Sequence, residues 1–413
     1  MNTSELHTLK TDLLDKVRKR FLIEDASDKK AALDIITEEL FRQKMTFMME
    51  RSTLADLAEE IYLMTKGRFG ILDPLLDDPD VNEIMVNGPD NIFFEKGSRV
   101  MRYNMRFDSS EELEEVMRNI AGQVHREINE LNPIVDARLP DGSRVNGVYK
   151  NVAVNGPILT IRKFSDSYIT MKDLTANGTM NEEVAEFLRA LVICGYNLLI
   201  SGGTSSGKTT LLNALSESVP DKERVIVIED SMELKLSHIE NIVHMECRNA
   251  NSQGKGLVTM SDLIRSSLRM RPDRIIVGEV RGGEVVEMLQ AMNTGHPGSM
   301  STGHGNSCLG MLKRLESMYL MAVSLDVDAI RSQIAEGIDV MIHVEKDVFG
   351  RRHIEEIKEI VSYENKKYTI NDLLGPEGHG IIDLKKARQK GEAYAEILGR
   401  SPGSRTGDRQ DIL

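Results

Sequence analysis

Residues 197–212, NLLISGGTSSGKTTLL, decide how the rest of the chain is read. The first four residues are apolar enough for a buried strand, and a helical pattern begins at Thr210 and runs to Leu215. Between them, Gly202-Gly203-Thr204-Ser205-Ser206-Gly207-Lys208-Thr209 fits G-x-x-x-x-G-K-[ST]. Glycines let backbone N–H groups curl toward one point, and the following helix aims its positive end at the same place. That geometry suits a dense cluster of phosphate oxygens. Lys208 supplies a point charge for β- and γ-phosphates, and the Thr209 hydroxyl a ligand for Mg²⁺. The expected ligands are therefore ATP and Mg²⁺. A flexible Gly/Ser linker would lack the apolar strand before the turn and the helical start after it.

Downstream, apolar runs alternate with helical stretches: RVIVIED, a helix, RIIVGEV, a helix. Such alternation predicts parallel strands joined by crossover helices, an α/β fold. Two of these runs end in acids, Glu229-Asp230 and Glu279. Ligands of open α/β sheets bind beyond the carboxyl ends of the strands, so both acids are expected to face the phosphate turn. Glu279 is the candidate for orienting the attacking water. Glu229 is the candidate second acid, shaping the shell around the metal. The segment MNTGHPGSMSTGHGNS then carries His296 and His304, eight residues apart. That is not a same-face helical metal pair; read alone, it suggests one histidine at a helix end and one in a loop. Arg265, Arg269, Arg271, Arg274 and Arg281 crowd the approach to Glu279. Arg138, Arg144 and Arg162 lie on strand-like runs further upstream. Arginine suits phosphate charge, although for most of these the expectation is ordinary ion pairing.

Upstream of the turn, residues 1–66 read as a helical segment. Leu6, Leu9, Leu13, Val17 and Phe21 form one apolar stripe, and Leu54, Leu57, Ile61 and Met64 a second, with Ser52 or Thr53 as cap and Gly67 as stop. Lys16, Arg18, Lys19 and Arg20 read as a solvated helix face. From about residue 70 to 165 the pattern is that of an α+β domain. A hairpin is expected around Gly88-Pro89-Asp90, a helix over 110–130, and strands around ARLPDGSRVNGVYK and GPILTIRKF. Residues 166–180 read as a linker. Strand signals return at 340–344 and 353–362, around a turn at Phe349-Gly350, and the tail from 376 is polar and partly disordered. The divisions expected are 1–66, 67–172, 173–375 and 376–413.

The chain has 413 residues, and 52 basic against 65 acidic side chains leave it at −13. That balance, no Trp and 5% aromatics argue against a nucleic-acid motor, which needs a basic surface and stacking platforms. Three cysteines without a C-x-x-C pair argue against a disulfide framework or a cysteine-rich zinc site. No apolar run is long enough for a membrane span, and the first residues lack a signal-peptide core, so the expected location is the cytoplasm.

Taken in order, ISGGTSSGKTT, VIVIEDSMELKL, LRMRPDRIIVGEVRGGE and LQAMNTGHPGSMSTGHGNS resemble the secretion ATPases of the type II/type IV class. With EIMVNGPDNIFFEKG, ARLPDGSRVN and GPILTIRKF upstream, the chain is most similar to the CpaF-type motors of tight-adherence pili. The resemblance covers about residues 70–365. It implies a RecA-like P-loop ATPase domain behind an α+β N-terminal regulatory domain, assembled as a homohexamer. Such a motor powers pilus assembly or secretion by nucleotide-driven domain motion; the alternative is a type IV secretion ATPase moving protein or DNA–protein substrates. The partner implied is a platform protein of the inner membrane, through which the motor would be held at that membrane. Carried over by position, Gly202 to Thr210 are Walker A and Ile275 to Glu279 Walker B. Glu229, Asp230 and Glu233 are the acidic box, and His296 and His304 the histidine box. Arg144 and Arg162 resemble the N-terminal-domain arginines that engage phosphates. Thr302-Gly303-His304-Gly305 departs from the bulkier flanks usual in the family. The tetra-cysteine insertion of some relatives is absent, which implies no zinc.

Overall fold

The computed structural model describes residues 3–374 except 25, 27, 44, 45, 47, 48, 98, 125, 165–168, 249 and 251–253, and in addition residues 384 and 385. Apart from those two, the tail expected from 376 lies outside the described residues. The chain divides into two compact units, Met1–Ser167 and Tyr168–Leu413.

The first unit opens with α1 (Thr3–Phe21), α2 (Lys29–Phe41) and α3 (Arg51–Lys66). They close on one another through Leu9, Leu13 and Val17 of α1, Ile36 and Leu40 of α2, and Leu57 and Ile61 of α3. The stripes foreseen on α1 and α3 are thus packing faces, whereas α2 between them was not foreseen. Asp28 caps α2 by accepting the Ala31 N–H at 2.7 Å. Helix α3 starts earlier than expected, with Glu50 rather than Ser52 or Thr53 at its cap position.

After the short α4 (Asp73–Asp77), the same unit forms a six-stranded antiparallel sheet. Its strands are β1 (Val81–Asn87), β2 (Ile92–Lys96), β3 (Arg99–Arg102), β4 (Ile134–Arg138), β5 (Arg144–Val148) and β6 (Ile158–Arg162), in the order β3-β2-β1-β6-β5-β4. The β1–β2 hairpin lies where Gly88-Pro89-Asp90 placed it. Helix α5 (Ser110–Gln123) buries Leu113, Met117 and Ile120 in the same core as Ile84, Val86, Leu159 and Ile161. It ends seven residues short of the expected 130.

In the second unit, the stretch expected as linker contains α6 (Met171–Ala176). Thr170 and Asp173 form a reciprocal capping box there, which explains a helix in so polar a segment. Helix α7 (Glu182–Cys194) follows. Then come β7 (Leu198–Gly202), α8 (Lys208–Ser216), β8 (Val225–Glu229), β9 (Ile242–Glu246), α9 (Met260–Ser267), β10 (Arg274–Val280) and α10 (Val285–Asn293). The unit is completed by β11 (Met300–His304), α11 (Cys308–Ala322), α12 (Val327–Gly337), β12 (Val340–Lys346), β13 (Arg352–Glu364) and β14 (Lys367–Asp372). The eight strands are ordered β14-β13-β12-β7-β11-β10-β8-β9. From β12 to β9 every neighbouring pair is parallel, while β13 and β14 add antiparallel strands at one edge. One core joins α7 and α8 to one face of this sheet, and another joins α10, α11 and α12 to the other. The fold class is α/β, as read. Strands β9, β11 and β14 were not foreseen, and β11 is central: it lies between the phosphate-turn strand β7 and the acid-bearing strand β10. Among the described residues, no helix is long and apolar enough to cross a membrane.

Candidate functional site

Strand β7 delivers the chain to the turn, and α8 begins at Lys208. Two glycines are required by geometry. A Cβ on Gly202 would lie 2.4 Å from both the Ser206 Oγ and the Val344 carbonyl oxygen. Gly207, with φ +99°, occupies the left-handed region immediately before the helix. Ser205 is also left-handed, at φ 57°, and its carbonyl accepts a hydrogen bond of 3.2 Å from Arg352 Nε on β13.

Lys208 is buried, and its ammonium donates to the Gly203 carbonyl at 2.7 Å and to His304 Nδ1 at 3.3 Å. Both of those acceptors are uncharged. Burial holds the Lys208 pKa below its ordinary range, with the nearby Glu279 opposing and Arg281 reinforcing that shift. A buried cation whose direct partners are neutral is a site made for an anion. The Ser206 Oγ, buried and without a hydrogen-bond partner, adds a polar group to the same turn.

His304 ends β11, directly across from Gly202 in the parallel register. The expected loop histidine is therefore fixed on a strand between the turn and the acid. Burial, and after it the adjacent Lys208, lower its pKa from the ordinary histidine range, which favours the neutral ring. An ammonium only donates, which makes Nδ1 the acceptor and puts the ring proton on Nε2. That nitrogen lies 2.9 Å from Glu279 Oε1.

Glu279 owes its aim to an irregularity in β10. Val277 pairs with Ser301 but Val280 with Gly303, so β10 carries one extra residue around Gly278 and Glu279. Bulges of this kind re-aim side chains. Thr302 Oγ1 donates to the Gly278 carbonyl at 2.8 Å and satisfies the backbone there. Glu279 Oε2 receives Arg281 Nη2 at 2.8 Å and Nε at 3.0 Å, while Oε1 is buried and has no aligned hydrogen-bond donor despite the nearby imidazole. Arg281 Nη1 also donates to Asp230 Oδ2 at 3.0 Å. Contacts therefore run without a break from Lys208 through His304 and Glu279 to Arg281 and Asp230.

The other expected residues are arranged differently. Glu229 is buried against Gly278, and its Oε1 accepts the N–H groups of Glu233 at 2.9 Å and Leu234 at 3.1 Å. That oxygen organises the following loop. Thr209 and Thr210 are half-buried in the first turn of α8. His296 hydrogen-bonds through Nδ1 to the Ala291 carbonyl at 3.1 Å and caps the end of α10. Of the five arginines near Glu279 in sequence, only Arg281 bonds to it. Arg274 is fully buried, paired with Glu223 at 2.8 Å, and Arg265 pairs with Glu287.

In the first unit, Arg138, Arg144 and Arg162 are successive cross-strand neighbours on β4, β5 and β6. Arg162 is exposed, and no ion pair or hydrogen bond from its side chain is seen among the described residues. Two features had no sequence signal. Arg352 reaches the turn from a strand 147 positions away. Glu345, His353 and Glu355 bring one ligand-type atom each within 4.8 Å of one another on the β12–β13 ribbon, where His353 is already paired with Glu355 at 3.0 Å.

Residues 66–347 match the family described as type II/IV secretion system protein. The conjugal transfer protein TrbB of Rhizobium radiobacter is 35% identical over 71% of this chain and 88% of its own length. The type IV secretion system protein VirB11 of Brucella suis is 32% identical over 69% of this chain and 87% of its own. Among solved structures, the pilus retraction motor PilT with bound ADP shares the fold, with a TM-score of 0.51 at 19% identity over 70% of this chain and 81% of that one.

Proposed function

The chain belongs to the type II/IV secretion system protein family, and from that premise we propose that it is an ATP-hydrolysing motor driving macromolecular transport at the bacterial inner membrane. The observation that carries this reading is the unbroken contact from the Lys208 ammonium through His304 to the Glu279 carboxylate. It joins a phosphate-binding cation to an acid with an unsatisfied oxygen.

The backbone N–H groups of the turn and Lys208 bind the triphosphate and neutralise charge that grows on the β/γ oxygens. Glu279 Oε1 accepts a hydrogen bond from the attacking water and orients it toward the γ-phosphorus. His304, which accepts from Lys208 and stands 2.9 Å from Glu279 Oε1, sits between the two and keeps them from collapsing into a direct ion pair. Mg²⁺, when bound at the Thr209 hydroxyl with Glu229 as the second acid, supplies further neutralisation of phosphate charge. With one oxygen committed to residues 233 and 234, Glu229 contributes chiefly by placing that loop.

Arg144 and Arg162 face each other across β5 and β6. Guanidinium groups suit phosphate charge. We assign them to sensing the phosphates during a cycle of closing and opening. Arg162→Ala is expected to slow turnover at saturating ATP without lowering Tm; a normal rate would remove this role. The working form is taken as a homohexamer bound to a platform protein, as the resemblance implies.

The pilus reading rests on the upstream motifs, whereas conjugal transfer and type IV secretion relatives favour transport of protein or DNA–protein substrates. Crosslinking in cells and identification of the captured membrane partner separates the two. Turnover itself is tested by phosphate release from the purified chain. Wild type is expected to release phosphate, and Lys208→Ala to lose nucleotide binding by about 100-fold or more, the loss of a charge-assisted contact to a buried polyanion. ATP binding by the wild type with no phosphate release would make the protein a nucleotide-bound scaffold instead.

A further inference from the structure

The Arg281 side chain is half exposed, and surface ion pairs of that kind contribute little to stability. Its geometry is more specific than an ordinary surface pair. Two of its N–H groups, on Nε and Nη2, converge on a single oxygen of Glu279, Oε2, at 3.0 and 2.8 Å. A third, on Nη1, reaches Asp230 Oδ2 at 3.0 Å, at the end of the neighbouring strand β8. The Arg281 backbone is fixed as well: Glu284 Oε1 accepts the N–H groups of both Arg281 and Gly282. The guanidinium thus starts from a held backbone and spans the acidic ends of β10 and β8. Arg281 itself is pushed above its ordinary range, first by the hydrogen bonds to Glu279.

The consequence falls on the carboxylate. With Oε2 doubly occupied, rotation of the Glu279 side chain would cost two charge-assisted hydrogen bonds. Oε1 is thereby turned toward His304 and the phosphate turn, buried and without an aligned donor of its own. A carboxylate on a bulge would otherwise sample several orientations, and misplacement by about 1 Å can cost on the order of 100-fold in rate.

We infer that Arg281 is the positioning residue of the hydrolytic step: it pins Glu279 through Oε2 so that Oε1 alone is presented to the attacking water. This rests on the assignment of Glu279 made above. It also explains why Arg281 bonds to Glu279 while Arg265 and Arg274 are committed to other carboxylates.

The test uses the full chain carrying Arg281→Ala, Arg281→Lys, Glu279→Gln, or Arg281→Ala together with Glu279→Gln. ATP affinity is read by a fluorescent ATP analogue and turnover by phosphate release. Arg281→Ala is expected to lower kcat by about 10- to 100-fold while KM and affinity stay within about threefold, the mark of an interaction made in the transition state. Arg281→Lys, which keeps the charge but not the convergent pair of N–H groups, is expected between Arg281→Ala and wild type. The double variant is expected to be no slower than Glu279→Gln alone, because Arg281 acts only through that carboxylate. A wild-type kcat in Arg281→Ala, a loss confined to KM, or a further loss in the double variant would each overturn the inference while leaving Glu279 in place. Wild-type turnover by Glu279→Gln would instead overturn the underlying assignment.

Discussion

Strands β8 and β11 lie on either side of β10 in the parallel part of one sheet, and they are built in opposite ways. β8, VIVIE, is buried at every position by Val and Ile up to its terminal acid. β11, MSTGH, lies nearer the middle of the sheet but carries Ser301, Thr302 and Gly303 where β8 carries branched apolar residues. The first strand fills space on both faces. The second makes room, since a Cβ at Gly303 would meet the end of the Met311 side chain at 2.3 Å. It also delivers His304 between Lys208 and Glu279. Stability is concentrated in one strand and chemistry in the other.

Substitutions can break that contrast. Ile228→Ala in β8 removes a fully buried side chain and is expected to cost about 2–5 kcal/mol, read as a fall in the denaturant midpoint. His304→Gln in β11 is expected to cost less than about 1 kcal/mol, since His304 is partly exposed, yet to lower kcat by about tenfold or more. Equal stability losses at the two positions, or normal turnover by His304→Gln, would erase the distinction.

A smaller effect concerns pH. His304 and His343 are both held below the ordinary histidine range, chiefly by burial. The fold favours the neutral rings, so the unfolded chain takes up protons first as pH falls. Their contribution to stability is complete above about 6.5 and is lost progressively from there down to the depressed folded values. Tm is expected to fall between pH 7.5 and pH 5. His343→Gln, in the strand beyond β7, is expected to flatten part of that fall; an unchanged slope would remove His343 from the cause.

The same contrast explains what could be read in advance. β7, β8 and β10 each present three or more consecutive apolar residues, closed within two positions by a glycine or an acid, and the alternation with helices fixes their parallel arrangement. The phosphate turn is legible because its glycines and lysine answer a local backbone geometry. β11 was hidden because its residues suit close approach rather than β propensity. The aim of Glu279 depends on a bulge, and a one-residue irregularity leaves no mark in composition. Arg352 meets Ser205 only through the folding of the sheet edge. Helix α2 is different: Ala32, Ile35, Ile36 and Leu40 carry ordinary helical spacing and were open to the same reading as α1 and α3.

The most direct test is a single-turnover assay of Glu279→Gln with ATP and Mg²⁺. The amide keeps the shape of the side chain but removes the carboxylate charge that orients water. ATP is expected to bind with affinity within about threefold of wild type, while phosphate release falls by about 100-fold or more. Release at the wild-type rate from a nucleotide-saturated Glu279→Gln chain would contradict the account.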